Sequence, residues 1–148
     1  MASRNWRVTV VDLSNVAIGK LSQAALELNV NLDLIVGDVV GDAAEYKFEP
    51  TRIDLIDLFY HLDPNLFPKI VSSLKPGGLL ICKMSLHWDP DGGLTGVRAN
   101  PLGRNELPLL VPELHVLYHE ERPVRARGVV EFIGRKSGDA AGDEVRRP

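Results

Sequence analysis

The sequence predicts an α/β fold: a mostly parallel sheet with helices on its faces, finished by an antiparallel hairpin. Three observations carry this. Short valine- and isoleucine-rich runs alternate with stretches of helical periodicity through the first half of the chain, the pattern of βαβ units. The run Leu79 to Met84 is apolar on both faces, as an interior parallel strand is. Two late runs, at about 114–120 and 128–134, are joined by a charged turn and read as an antiparallel pair.

Taken in order, residues 7–13 are a valine-rich strand, and Ser14 is placed to cap the next helix. Ala17, Leu21, Ala24 and Leu28 recur at helical spacing and predict one buried stripe. Asn29 suits the left-handed position that closes a helix. Leu32 to Val36 is the second strand, ended by Gly37-Asp38. After a polar stretch, Ile53 to Phe59 is the third. Asp54 and Asp57 sit an odd number of residues apart, so they face opposite sides. Asn65 is the expected cap of a second helix with Pro68 in its first turn, where a missing N–H costs little. Phe67, Ile70, Val71 and Leu74 supply its apolar face. Lys75-Pro-Gly-Gly78 stops that helix and turns the chain into the Leu79–Met84 strand. A Gly/Pro-rich loop runs from Leu86 to about Arg104, long enough to suggest a role. Asn105 is the expected cap of a short helix containing Pro108. The fold is expected over residues 1–136, with 137–148 a small, charged, disordered tail.

With 148 residues, 45% hydrophobic and 25% charged, the chain has the balance of a globular domain. Its net charge of −3 argues against general nucleic-acid binding. The arginines 122, 125 and 127 read as a solvated turn. No stretch has the length of a membrane span and Met1-Ala-Ser-Arg-Asn-Trp6 has no apolar leader core, so the cytoplasm is the expected location. Cys82 lies inside an apolar run and is expected to be buried and inert. No cysteine or histidine pair has zinc spacing. His115 and His119 are predicted to share a strand face about 13 Å apart, too far to hold one ion. No Gly-x-Ser-x-Gly elbow marks a hydrolase.

One acid calls for explanation. Val8-Thr-Val-Val-Asp12 is a strand ending in a carboxylate just before a helix, as in folds that hold a ribose. Such folds carry a glycine-rich loop about 20 residues earlier, yet no glycine precedes Asp12. The run Val8-Thr-Val-Val-Asp12-Leu-Ser14, the pair Gly37-Asp38, the run Ile53-Asp-Leu-Ile56 and the turn Leu74-Lys-Pro-Gly-Gly-Leu-Leu80 occur in this order. Together they resemble class I S-adenosylmethionine-dependent methyltransferases, most of all small bacterial members of the tellurite-resistance or type 11/12 sort. The turn is the most specific piece.

The resemblance implies a Rossmann-like methyltransferase fold, S-adenosylmethionine as cofactor and a small-molecule methyl acceptor. It implies cofactor contacts from Asp12 (ribose hydroxyls), Leu13, Asp38 (adenine amino group), Val39 (adenine face) and Phe59. It places Tyr60 and His61 near the acceptor, and His87, Trp88 and Arg98 in the loop that covers the acceptor pocket. No catalytic residue is assigned, and no metal.

The chain departs from the family by lacking the first strand, its helix and the glycine-rich loop, roughly 30–50 residues. In the family that strand is central. Its absence would leave the neighbouring strands about 9–10 Å apart, with backbone groups wanting partners. Direct pairing of those strands, association with a second copy through exposed edges, or a longer native chain would each answer this. Two functions stand as expectations: methyl transfer, with activity in doubt because the glycine loop is absent, or a non-catalytic module of the same fold that oligomerises or binds a partner through open sheet edges. A dinucleotide-binding half-domain also places an acid on a ribose, but the Lys-Pro-Gly-Gly turn and the hairpin favour the methyltransferase lineage.

Overall fold

The computed structural model describes residues 6–40, 44–86, 102–124 and 127–138. The chain divides into two compact units, Met1–Lys47 and Phe48–Pro148.

The first unit is one βαβ motif: β1 (Thr9–Asp12), α1 (Asn15–Glu27) and β2 (Asp33–Val36). β1 and β2 run parallel, with Asp12 opposite Val36. Ser14 caps α1 as expected, its Oγ accepting the Ala17 N–H at 3.2 Å. Ser14→Ala is expected to cost about 1 kcal/mol, read as a lower denaturation midpoint at unchanged slope. Asn29 closes the helix with φ +50°. Its N–H reaches the Leu26 carbonyl at 3.2 Å, and the Val30 N–H reaches that of Ala25 at 3.0 Å, the paired bonds of a Schellman ending. The predicted stripe is displaced. Ile18 and Ala25 are buried, Ala17 and Ala24 half-buried, while Leu21 and Leu28 are 37% and 73% exposed. Within its unit the helix packs on β1 and β2. So narrow a sheet covers a line of small side chains beside Ile18, not a wide leucine stripe.

The second unit holds β3 (Ile53–Phe59), α2 (Leu66–Ser73), β4 (Leu74–Leu86), α3 (Leu107–Leu110), β5 (Leu114–Val124) and β6 (Arg127–Lys136). Its sheet has the order β3-β4-β6-β5. β3 and β4 are parallel, and β6 lies antiparallel between β4 and β5. Among the described residues β1 pairs with β2 alone and β3 with β4 alone. The described strands form two sheets, one in each unit.

The core of this unit lies between α2 and one sheet face. Phe67, Ile70, Leu74, Leu80, Met84, Val130 and Phe132 are essentially inaccessible. Lys136, near the end of β6, completes the packing by donating from Nζ to the carbonyls of Val71, Ser72 and Leu74 at 2.8, 3.2 and 2.8 Å. These are carbonyls a helix end leaves unpaired. Cys82 is buried, and burial, helped by the charge of Asp57, pushes its thiol up to about 12. Thiol reagents are expected to leave it unmodified in the folded protein and to label it fully in denaturant.

Three local expectations change. Asn65 stands at the N-cap position of α2 without capping it. Its N–H and side-chain amide both donate to Asp63 Oδ1, at 2.8 and 3.1 Å. Glu106, not Asn105, precedes α3. Asn105 takes φ +56° and gives its N–H to Glu121 Oε1 at 2.6 Å. The ladder of β5 shifts register between Val116 and Tyr118, so His115 pairs with Arg135 and His119 with Phe132. Those partners are three residues apart, which puts the two histidines on opposite faces. The loop expected from Leu86 is already strand at that residue, and Leu86 bridges to Leu102. The intervening 87–101 and most of the predicted tail lie outside the described residues.

Candidate functional site

Parallel strands end on the same side, so the register of β1 and β2 brings together the residues just beyond each strand. The Gly37 N–H donates to the Asp12 carbonyl at 3.1 Å, carrying the ladder one residue past β2. Asp12, Leu13, Asp38 and Val39 are thereby collected along one carboxyl edge. Asp12 is exposed. Its Oδ1 accepts the Ser14 N–H at 2.7 Å, fixing the carboxylate at the start of α1, while Oδ2 accepts nothing among the described residues. Leu13 beside it is 68% exposed, an apolar surface next to an acceptor.

Asp38 is half-buried. Its Oδ1 accepts the N–H groups of Val39 and Val40 at 2.7 and 3.0 Å, an Asx turn. Glu45, which the sequence did not single out, returns to this edge. Its Oε2 accepts the Asp38 N–H at 2.7 Å, and its own N–H donates to the Asp38 carbonyl at 3.1 Å. A Cβ at position 37 would lie 2.7 Å from the Glu45 Cβ, so glycine is needed for the return. No local sequence signal announces this contact, since it depends on how the chain folds back after Val40.

In the second unit, Phe59 ends β3 and is 55% exposed. Tyr60 adopts φ +55°, uncommon for a bulky residue and a mark of local strain. Its N–H donates to the Lys83 carbonyl at 2.8 Å, which holds the turn against β4. His61 comes next, with Nε2 buried and without a hydrogen-bond partner among the described residues. Asp57, earlier on the strand, has its carboxyl held above the ordinary value by partial burial. His87, Trp88 and Arg98 lie outside the described residues.

No protein-family model matches this sequence, and no curated protein does. Solved structures do. TehB from Haemophilus influenzae superposes with a TM-score of 0.71 at 14% identity, covering 92% of this chain and 52% of TehB. Geranyl diphosphate C-methyltransferase from Streptomyces coelicolor A3(2), solved with Mg2+, geranyl diphosphate and S-adenosyl-L-homocysteine, gives 0.70 at 16% identity, over 92% of this chain and 68% of that one. The 4+2 cyclase SpnF gives 0.68 at 15% identity, over 90% and 67%. The chain spans about half the length of TehB. The fold is the Rossmann-like fold of class I S-adenosylmethionine-dependent methyltransferases, as the sequence motifs implied. Among the described residues no helix is long and apolar enough to cross a membrane.

Proposed function

We propose that this chain binds S-adenosylmethionine along the carboxyl edge of β1 and β2 and belongs to the machinery of methyl transfer to a small acceptor. The observation that carries the reading is Asp12: a carboxylate at the end of a parallel strand, one oxygen tied to a helix N-terminus and the other open, beside an exposed leucine. The open oxygen accepts from ribose hydroxyls, as a carboxylate with spare lone pairs can. Leu13 and Val39 cover the faces of the adenine ring. Asp38 retains Oδ2 for the exocyclic amine while Oδ1 holds its turn. The sequence resemblance assigns Phe59 to the cofactor contacts. Tyr60 and His61 meet the acceptor, and His87, Trp88 and Arg98 join them on the strength of the sequence resemblance.

When bound, S-adenosylmethionine supplies a methyl group already activated on a positively charged sulfur. The residues of this chain then need only hold the two reactants in line, which is where most of the rate gain of such a step lies. Calorimetric titration with S-adenosylmethionine, and with its demethylated product, tests the reading. Micromolar binding is expected, and absence of heat at millimolar ligand rejects it.

A second reading rests on a separate observation. β1 and β3 each have a ladder partner on one side only among the described residues, and open strand edges recruit further strands. A non-catalytic module that associates through such edges would show mass above the monomer without cofactor binding.

A further inference from the structure

We propose that Glu45 is a positioning residue of the cofactor edge: it locks Asp38 so that the edge reads the base through its amino group and not through a ring nitrogen. The inference rests on the cofactor reading above and adds a selectivity to it. It starts from the main chain after β2. The last bond that β1 gives this segment is at Gly37, whose N–H donates to the Asp12 carbonyl at 3.1 Å. The next N–H, that of Asp38, is taken by Glu45 Oε2 at 2.7 Å. The Glu45 N–H donates to the Asp38 carbonyl at 3.1 Å, and the Tyr46 N–H approaches the same oxygen at 3.5 Å. Glu45 therefore holds Asp38 at both its N–H and its carbonyl. A carboxylate on a backbone N–H is among the stronger hydrogen bonds. The Glu45 side chain runs close over the strand end, since a Cβ at Gly37 would lie 2.7 Å from both its Cβ and its Oε2.

The clamp decides what the edge can offer a ligand. With Asp38 held, its Oδ1 accepts the N–H groups of Val39 and Val40 at 2.7 and 3.0 Å. Three successive N–H groups, at 38, 39 and 40, are thus satisfied from within the unit. None of them remains to donate to a ring nitrogen. Asp38 Oδ2 accepts nothing among the described residues, and an ionised carboxylate can only accept. Adenine presents a donor at its 6-amino group, while its ring N1 is an acceptor. The edge is matched to the first and has no main-chain partner at 38–40 for the second.

Calorimetric titration of the full chain with S-adenosyl-L-homocysteine and two analogues tests this. One analogue has hydrogen in place of the 6-amino group. The other has carbon in place of ring N1. The wild type is expected to bind the first roughly tenfold or more weakly than the parent, and the second within about twofold of it. Glu45→Ala releases Asp38 and is expected to cut the penalty for losing the amine to less than about threefold. Glu45→Gln keeps an oxygen for the Asp38 N–H and is expected to retain the wild-type ranking. The penalty is a ratio within one variant, so a general loss of stability does not move it. If circular dichroism shows Glu45→Ala to be unfolded, Glu45→Asp, a methylene too short to make both bonds, takes its place. Three results overturn the role of Glu45 and leave the cofactor site standing: a wild type that binds the parent but loses tenfold with the N1 analogue, a Glu45→Ala chain with the wild-type penalty, or a Glu45→Gln chain that ranks as Glu45→Ala does. A wild type that binds none of the three ligands overturns both readings.

Discussion

Replacing Asp12 with alanine is expected to weaken S-adenosylmethionine binding by roughly a hundredfold or more. A hydrogen bond to a charged acceptor contributes about 1.5–3 kcal/mol, and a ribose presents two hydroxyls to the same carboxylate. The loss of both contacts exceeds the factor of ten that 1.4 kcal/mol represents. The substitution has a second effect that must be separated. Asp12 Oδ1 also accepts the Ser14 N–H, so alanine loosens the start of α1. Ser14→Ala supplies the control, since it removes the cap and leaves the carboxylate. It should lower stability by about 1 kcal/mol while affinity stays near wild type. Asp12→Asn should fall between: it keeps one acceptor oxygen and the side-chain shape but loses the charge. Calorimetry for affinity and circular dichroism for helix content give the two readouts. Unchanged affinity in Asp12→Ala would remove the ribose role.

The features legible in the sequence were local, and those it withheld depended on contacts made across the fold. Ile53–Phe59 was legible to the residue because an apolar run bounded by polar stretches is a one-dimensional signal. Ser14 and Asn29 were legible because capping and left-handed closure involve neighbours a few positions away. Asn65 and Asn105 carried the same composition signal, yet the Asn65 side-chain amide donates to Asp63 instead of capping α2, and Asn105 falls one residue before the N-cap position of α3. Composition alone cannot choose between such partners. The stripe of α1 was misread because its width depends on the size of the sheet beneath, which periodicity does not encode. The parity of His115 and His119 was lost to one bulged residue. In the candidate site, Asp12 and Asp38 came from motif order, while Glu45 became visible only when the chain was seen to return over Gly37. The hairpin was readable as a hairpin. That β6 and not β5 lies against β4 is topology, and the pairing of Lys83 with Glu131 exists only because of it.

Gly78→Ala is expected to destabilise the second unit by about 3 kcal/mol, the upper part of the range for overpacking. The Leu74-Lys-Pro-Gly-Gly78 turn is where β4 joins β3. Ile53 pairs with Leu74 and Leu55 with Leu79, so two steps along β3 are matched by five along β4, and the excess residues must loop out of the ladder. The loop returns at Gly78 with no room for a side chain. A Cβ there would lie 2.8 Å from the Lys75 carbonyl oxygen, 3.2 Å from that of Ile53 and 3.3 Å from that of Asp54. Backbone oxygens cannot rotate aside as a flexible side chain would, so the strain passes into the β3–β4 ladder. The adjacent glycine provides an internal comparison. Gly77 has φ +78°, but a Cβ there would meet nothing within 4 Å. Gly77→Ala therefore carries only the conformational cost of a left-handed residue, about 1–2 kcal/mol. Urea denaturation of both variants should rank Gly78→Ala as clearly the more damaging. Equal midpoints would mean that the turn needs glycine for its dihedral angles alone, and that the close approach of the two strands yields at little cost.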